Sequence, residues 1–291
     1  MLNWPGPPRP PNACGMTAIP HTQQPSPDIT ERTHALWALG DYPRVADTVI
    51  PGLGRRLVRA CDIRPGLRVL DIAAGAGNAA IPAAEAGADV VASDLTPEMF
   101  EAGRAAAAAR GVHLTWEAAD AQALPYADGR FDVAMSCVGI MFAPSHRAAA
   151  GELLRVTAPN ATIGLINWTP EGFIGEMFST AKQFAPPPPP GAQSPLLWGT
   201  ADHLRDLFGD HVTDLRIQRE FATVECFADG DRFRDFFKAN YGPTVAVYRS
   251  LAGDPDRIAE LDRALADLAA RHDLGGGRMR WEYLLVTGRR A

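Results

Sequence analysis

The sequence predicts a doubly wound α/β fold, a mostly parallel sheet with helices on both faces. Three observations predict it. Short apolar runs alternate with Ala-rich stretches of helical length, the pattern of strands and crossover helices. The runs are continuously apolar, as strands covered on both faces are. The first run leads straight into the glycine-rich stretch holding Gly75 and Gly77, where the backbone can turn sharply beside a ligand.

Residues 31–61 read as two helical stretches broken at Gly40-Asp41-Tyr42-Pro43. Pro43 suits the first turn of the second, where its missing N–H costs little. Strands follow at 68–72, 88–93, 112–117, 131–137 and 161–168. Helices at 78–86, 97–110 and 146–157 separate them, and Thr96 caps the helix that Pro97 opens. Right-handed crossovers then bring ligands to the carboxyl ends of the strands. After Trp168 the alternation lapses. Residues 169–199 are too long for an ordinary loop and read as a functional insertion. A short helix at 200–208, a strand near 214–224, helical stretches at 231–240 and 254–272, and a last strand at 280–287 complete the chain.

The chain has 291 residues, enough for one large domain or two small ones. Hydrophobic residues make up 46%, so a real core is expected. The net charge of -6 argues against a chain built to neutralise phosphates, so no nucleic-acid partner is expected. Lys182 and Lys238 are the only lysines, leaving Arg at 26 of 28 basic positions, a composition typical of a G+C-rich bacterial genome. Residues 1–30 hold 8 of the 25 prolines and lack periodicity, so they read as a disordered tail, with Met16 a candidate start. Residues 31–291 would be the folded domain: N-terminal helices at 31–61, a core at 65–168, and insertions at 169–199 and 225–275. The run Pro186 to Pro190 falls in the first insertion and would be a stiff strut. No apolar run reaches the roughly 18 residues of a membrane span. No basic-then-apolar leader precedes the fold. Cys14, Cys61, Cys137 and Cys226 are isolated, without a C-x-x-C pair, so reduced thiols in a cytoplasm and no metal site are expected.

The strongest signal is the turn after the first strand. Asp71 precedes Gly75 and Gly77, Asp94 follows the second strand, and Asp120 follows the third. A carboxylate just after the second strand can accept both hydroxyls of a ribose. Gly75-x-Gly77-x-x-Ala80 also fits the dinucleotide fingerprint, which keeps a nicotinamide-dependent oxidoreductase open. Asp71 argues against it, because an acid inside a buried strand is costly without a partner. At the end of that strand it would reach the cleft and hold a cationic group.

These residues carry a family resemblance. V-L-D-I-A-A-G-A-G (69–77), V-V-A-S-D (90–94), A-A-D-A-Q-A-L-P-Y (118–126) and F-D-V-A-M-S (131–136) resemble class I S-adenosylmethionine-dependent methyltransferases. In order and spacing the set is close to the ubiquinone/menaquinone-methyltransferase-like branch. The likeness covers roughly residues 65–168 and implies a seven-stranded Rossmann-like sheet whose last strand, 280–287, is antiparallel. It implies S-adenosylmethionine as cofactor, with Asp71, Ala73, Gly75 and Gly77 at its methionine end. Asp94 would take the ribose hydroxyls, Leu95 and Met99 would pack near the adenine, and Asp120 and Ala121 would meet the adenine edge. The backbone near Ser136 and Cys137 would face the methionine amine. Asn160 stands where the family has a glycine turn, and Asn tolerates the left-handed conformation.

Methyl transfer from a sulfonium chiefly needs the acceptor held in line, and a base only if the acceptor must lose a proton. His146 is the candidate base, in the loop after the fourth strand; the alternative is that Ser145 caps the next helix and His146 is an exposed first-turn residue. Trp37 and Tyr42 form a lid or pack as core, Tyr42 reaching the methionine carboxylate in the first case. Trp168, Phe173, Met177, Phe178, Trp198, Phe237 and Tyr241 are expected to form an apolar cap over a small hydrophobic or aromatic acceptor. The Ser136-Cys137-Val138-Gly139 stretch lacks the N/D-P-P-Y/F pattern of nucleic-acid methyltransferases. A non-catalytic S-adenosylmethionine-binding protein stays open, as does a homodimer.

Overall fold

The computed structural model describes residues 27–187 and 193–291. The sheet has seven strands in the order β3-β2-β1-β4-β5-β7-β6. They are β1 (Arg68–Ile72), β2 (Asp89–Asp94), β3 (Thr115–Ala118), β4 (Phe131–Cys137), β5 (Thr157–Trp168), β6 (Val212–Val224) and β7 (Met279–Arg290). β1 to β5 pair in parallel, and β7 runs antiparallel between β5 and β6. The doubly wound fold with its antiparallel last strand is therefore as expected. β5 starts four residues earlier than 161 because it bends at an irregularity facing β4, where Asn160 takes φ 62°.

The core strands are apolar because both faces are covered. Val69, Leu70 and Ile72 of β1, and Val133, Ala134 and Met135 of β4, are almost wholly buried. Crossover helices α4 (Ala80–Glu85), α5 (Phe100–Ala109) and α6 (His146–Val156) join the strands, and α8 (Ala201–Phe208) leads into β6.

Two regions depart from the expectation. The N-terminal stretch is three helices, α1 (Pro27–Trp37), α2 (Tyr42–Val49) and α3 (Leu53–Ala60), because Ile50-Pro51-Gly52 adds a second break. α1 also takes in residues 27–30, assigned above to the tail; residues 1–26, with Cys14 and Met16, lie outside the described residues. After Trp168 come α7 (Phe173–Lys182), α9 (Gly230–Asn240), α10 (Gly242–Ser250) and α11 (Pro255–His272). α10 was not anticipated; its proline sits in the first turn, where it starts a helix. Of the polyproline run, Pro188 to Pro190 lie outside the described residues.

The N-terminal helices are fixed to α9 and α10 by backbone contact. The Asp41 amide donates to the Asn240 carbonyl at 2.8 Å. A Cβ at Gly40 would strike the Asn240 carbonyl, and one at Gly242 would strike the Leu36 carbonyl. Only glycine permits either approach. Among the described residues no helix is long and apolar enough to cross a membrane. No three His, Cys, Asp or Glu side chains there could hold a metal ion, and Cys61, Cys137 and Cys226 are free thiols.

Candidate cofactor and acceptor site

The site grows from the carboxyl ends of β1, β2, β3 and β4, where the strand order reverses. After β1 the chain turns through left-handed conformations at Ala73 (φ 55°), Gly75 (φ 56°) and Gly77 (φ 84°). Gly77 is required by space as well, since a Cβ there would meet the Trp116 ring at 2.7 Å. After β4, Val138 also takes a positive φ, 58°. A β-branched residue is rarely held this way, and such strain clusters at functional sites.

The three acids take distinct places. Asp94 accepts from the backbone N–H of Gly75 at 2.7 Å and of Thr96 at 2.8 Å, so it ties the glycine turn to the end of β2. Burial raises its pKa, and those N–H bonds oppose the rise. Asp120 accepts from the Gln122 backbone at 2.9 Å and from the Thr30 hydroxyl of α1 at 3.2 Å. Asp71 is fully buried, and neither carboxylate oxygen has a hydrogen-bond partner among the described residues. Burial pushes its pKa up to about 8; the nearby Ala80 backbone lowers it and Asp94 adds to the rise. Leaving a buried carboxyl group unpartnered is costly, and a cation placed beside it would offset that cost.

Asp94 and Asp120 border a cleft. Tyr42, Ala73, Asp94, Leu95, Met99, Asp120 and Ala121 line it, together with Trp37. Asp71, Gly75, Gly77 and Cys137 lie behind that surface. A Cβ on Gly75 would touch the Tyr42 ring at 3.4 Å and Met99 Sδ at 3.6 Å. The Cys137 thiol accepts a long contact of 3.7 Å from Asn78, and burial raises its pKa. α1 closes the cleft through Thr30 and through His34, whose Nε2 is 3.0 Å from Glu98. The residues present fit a ligand with a cationic end, a diol and a flat apolar group.

A second, larger cleft opens beside the first and shares Thr33, Trp37, Phe142, Ala143 and Pro144 with it. Met177, Phe178, Tyr241 and Pro186 line it. Trp168, Phe237 and Tyr241 line a smaller cavity behind Tyr42.

Three expectations are corrected. Phe173 is core: it is 1% exposed and stacks on Trp281 at 4.7 Å. Trp198 is core too, packed against Phe208 and His146. His146 is neither a base on the cleft nor an exposed first-turn residue. Ser145 does cap α6, accepting from the Ala148 amide, but the imidazole turns inward and is fully buried. Its Nδ1 lies 2.9 Å from His203 Nε2, and burial, with His203 second, lowers its pKa to about 4.

Sequence reasoning missed Thr30, Gln122, Val138 and Phe142. Phe142 is central: its ring is 4.7 Å from Trp37 and 6.1 Å from Phe178. It lies in the Gly139–His146 loop already expected to border the cleft, so its aromatic character was an available signal. The strain at Val138 has none, since nothing in a valine announces a positive φ.

Comparison with known proteins places this geometry. A family model described as a methyltransferase domain matches residues 69–160. An uncharacterised protein of Mycobacterium tuberculosis (strain ATCC 25618 / H37Rv) is 46% identical over 271 residues, 93% of this chain and 98% of that one. A demethylmenaquinone methyltransferase of Paenarthrobacter aurescens is 37% identical over 126 residues, 42% of this chain and 48% of that one. Among solved structures, the YcgJ protein of Bacillus subtilis superposes with a TM-score of 0.54 at 18% identity, covering 81% of this chain and 97% of that one.

Proposed function

Because the chain belongs to the class I S-adenosylmethionine-dependent methyltransferases, we propose that it moves a methyl group in line to a small hydrophobic or aromatic metabolite held beneath its C-terminal cap. The observation that carries this reading is the adjacency of the two clefts, which meet at Trp37 and Phe142. The first is edged by carboxylates and the second is walled by aromatic and aliphatic side chains, a pairing suited to a cationic cofactor beside an apolar acceptor.

When bound, S-adenosylmethionine supplies an electrophilic methyl on a sulfonium. The chain's own residues hold and orient. Asp71 takes the positive amino end, relieving a carboxylate that is otherwise buried unpaired. Asp94 takes the ribose hydroxyls while keeping the Gly75 turn in place. Leu95, Met99, Asp120 and Ala121 enclose the adenine. Tyr42 and Trp37, brought down by α1 and α2, exclude water from the meeting point. Phe142, Phe178, Met177 and Tyr241 orient the acceptor, and such positioning supplies a large part of the acceleration. Among the described residues, α7, Pro186 and α10 wall the cap that selects the acceptor. No carboxylate or imidazole lines the large cleft among its described residues.

The test is transfer of radiolabelled methyl to a panel of small apolar phenols, amines and enols, with cofactor binding followed by isothermal titration. Saturable binding of S-adenosylmethionine and labelling of at least one member, both lost in Asp71→Ala, are expected. Binding of NAD alone would overturn the assignment. Cofactor binding without labelling anywhere on the panel would make the chain a binding protein.

A further inference from the structure

The loop at 139–145, after β4, forms much of the wall between the two clefts. Phe142, Ala143 and Pro144 line both, Gly139 and Ile140 line the first only, and Met141 lines the second only. The stance of these residues depends on how the two ends of the loop are held. The first end is tied to β1. The Ser136 hydroxyl donates to the Ile72 carbonyl at 2.6 Å and accepts from the Ile140 amide at 2.9 Å. The far end is tied to the loop after β3 through one side chain, Gln122.

Gln122 is buried, and both ends of its amide are engaged. Its Nε2 donates to the Asp120 carboxylate, at 3.0 Å to Oδ1 and 3.3 Å to Oδ2. Its Oε1 accepts from the Ser145 backbone N–H at 2.8 Å. Only this orientation satisfies both partners: reversed, an oxygen would meet a carboxylate and an NH₂ would meet an N–H. An ionised glutamate would accept from Ser145 but repel Asp120, and a leucine would do neither. The path continues past Ser145. The next amide, that of His146, donates to Gln193 Oε1 at 3.2 Å, and Gln193 lines the large cleft. The His146 ring lies 2.9 Å from His203 of α8. His146 thus belongs to the brace behind the wall rather than to either cleft.

We propose that Gln122 is a positioning residue for the acceptor: it passes occupation of the cofactor cleft on to the wall that the two clefts share. The proposal rests on the methyl-transfer reading above, in which Asp120 meets the adenine edge. The Asp120 carboxylate is shared between Gln122 and the Thr30 hydroxyl, 3.2 Å away. An adenine amino group donating to that carboxylate restrains its plane. The plane fixes the Gln122 amide, the amide fixes the Ser145 N–H, and the loop that ends there is firmed. By linkage, a wall already held in place favours the adenine in return. The Ser136 tie does not run through Gln122, so the Ile140 amide is an internal reference within the same loop.

The test is residue-level amide hydrogen exchange on the full chain, with and without saturating S-adenosylhomocysteine, which carries the cofactor's adenine. In the unsubstituted chain the ligand should slow exchange at Ser145 about fivefold or more, the scale of one firmed hydrogen bond. Gln122→Leu should speed Ser145 exchange about fivefold or more without ligand and abolish the response to ligand, while Ile140 exchanges as before. Gln122→Glu keeps an acceptor for Ser145 but not a donor for Asp120, and should abolish the response as well; it decides the matter if the leucine variant does not fold. Isothermal titration should show both folded variants still binding S-adenosylhomocysteine. A Ser145 amide that the ligand does not slow in the unsubstituted chain, a response that survives either substitution, an Ile140 amide loosened along with Ser145, or loss of ligand binding by the folded variants would overturn the proposal. Failure of the unsubstituted chain to bind S-adenosylhomocysteine would overturn the methyl-transfer reading beneath it, and the proposal with it.

Discussion

The cleft proposed for the cofactor and the cleft proposed for the acceptor share a wall but are built differently. The first is made from strand ends: Ala73 after β1, Asp94 and Leu95 at and after β2, Asp120 after β3 and Val138 after β4. Two of its lining residues, Ala73 and Val138, are held in left-handed conformations. The second is made from side chains on α1, α7, α10 and two loops that are far apart in the chain. A charged, hydrogen-bonding ligand needs a few groups at fixed positions, and strand ends supply them. An apolar ligand needs only a complementary surface, which many combinations of residues can build.

That contrast can be broken, and the largest effect belongs to the strand ends. Asp94→Ala removes the acceptor for two backbone N–H groups as well as a ligand contact, so cofactor affinity should fall about 100-fold or more by isothermal titration. A fall under threefold would mean the cleft is not held by its strand ends. Asp71→Asn comes next. Burial pushes the folded pKa of Asp71 up to about 8, above the ordinary aspartate value of about 4, so the native state binds the extra proton between them. Cofactor-free stability should therefore decline as pH rises from about 4 to 8. Asp71→Asn should flatten the decline and gain on the order of a few kcal/mol at pH 8 while weakening cofactor binding. Thermal unfolding across pH reads this, and an unchanged slope would sink it. Thr30→Val cuts one tie of α1 to Asp120 and should weaken cofactor binding only several-fold, as one part-exposed hydrogen bond allows. The smallest effect is His146→Gln, which should leave the pH profile of kcat unchanged because the ring faces His203 rather than the cleft. Its burial predicts instead a stability term lost as pH falls from about 6.5 towards 4. A profile shifted by this substitution would return His146 to catalysis.

The same contrast explains what was legible. The strands β1 to β4, the left-handed Asn160 turn and the places of Asp94 and Asp120 follow from short local stretches, where apolar runs and the residues that end them are adjacent in sequence. The cap does not read this way. Phe173 and Phe178 lie on the same helix, yet one stacks in the core and the other lines the cleft. Aromatic character predicts burial equally well for both, and only the packing of α7 against β7 and α11 separates them. His146 failed for a related reason: its loop borders the cleft, but the capping turn at Ser145 points the imidazole inward. A loop's position does not give the direction of each side chain.

The contact of Gly40 with Asn240, and of Gly242 with Leu36, bears on the order in which the protein is made. Residues through β5 contain most of the cofactor cleft and can fold as they leave the ribosome, at about 5–20 residues per second. The helices that cover that cleft are synthesised first, yet the backbone they rest on belongs to α9 and α10. Until those emerge, the cover has nothing to close against, so the nascent chain should capture cofactor loosely and hold it firmly only near completion. Time-resolved cofactor protection on stalled chains ending before and after residue 250 would show that step.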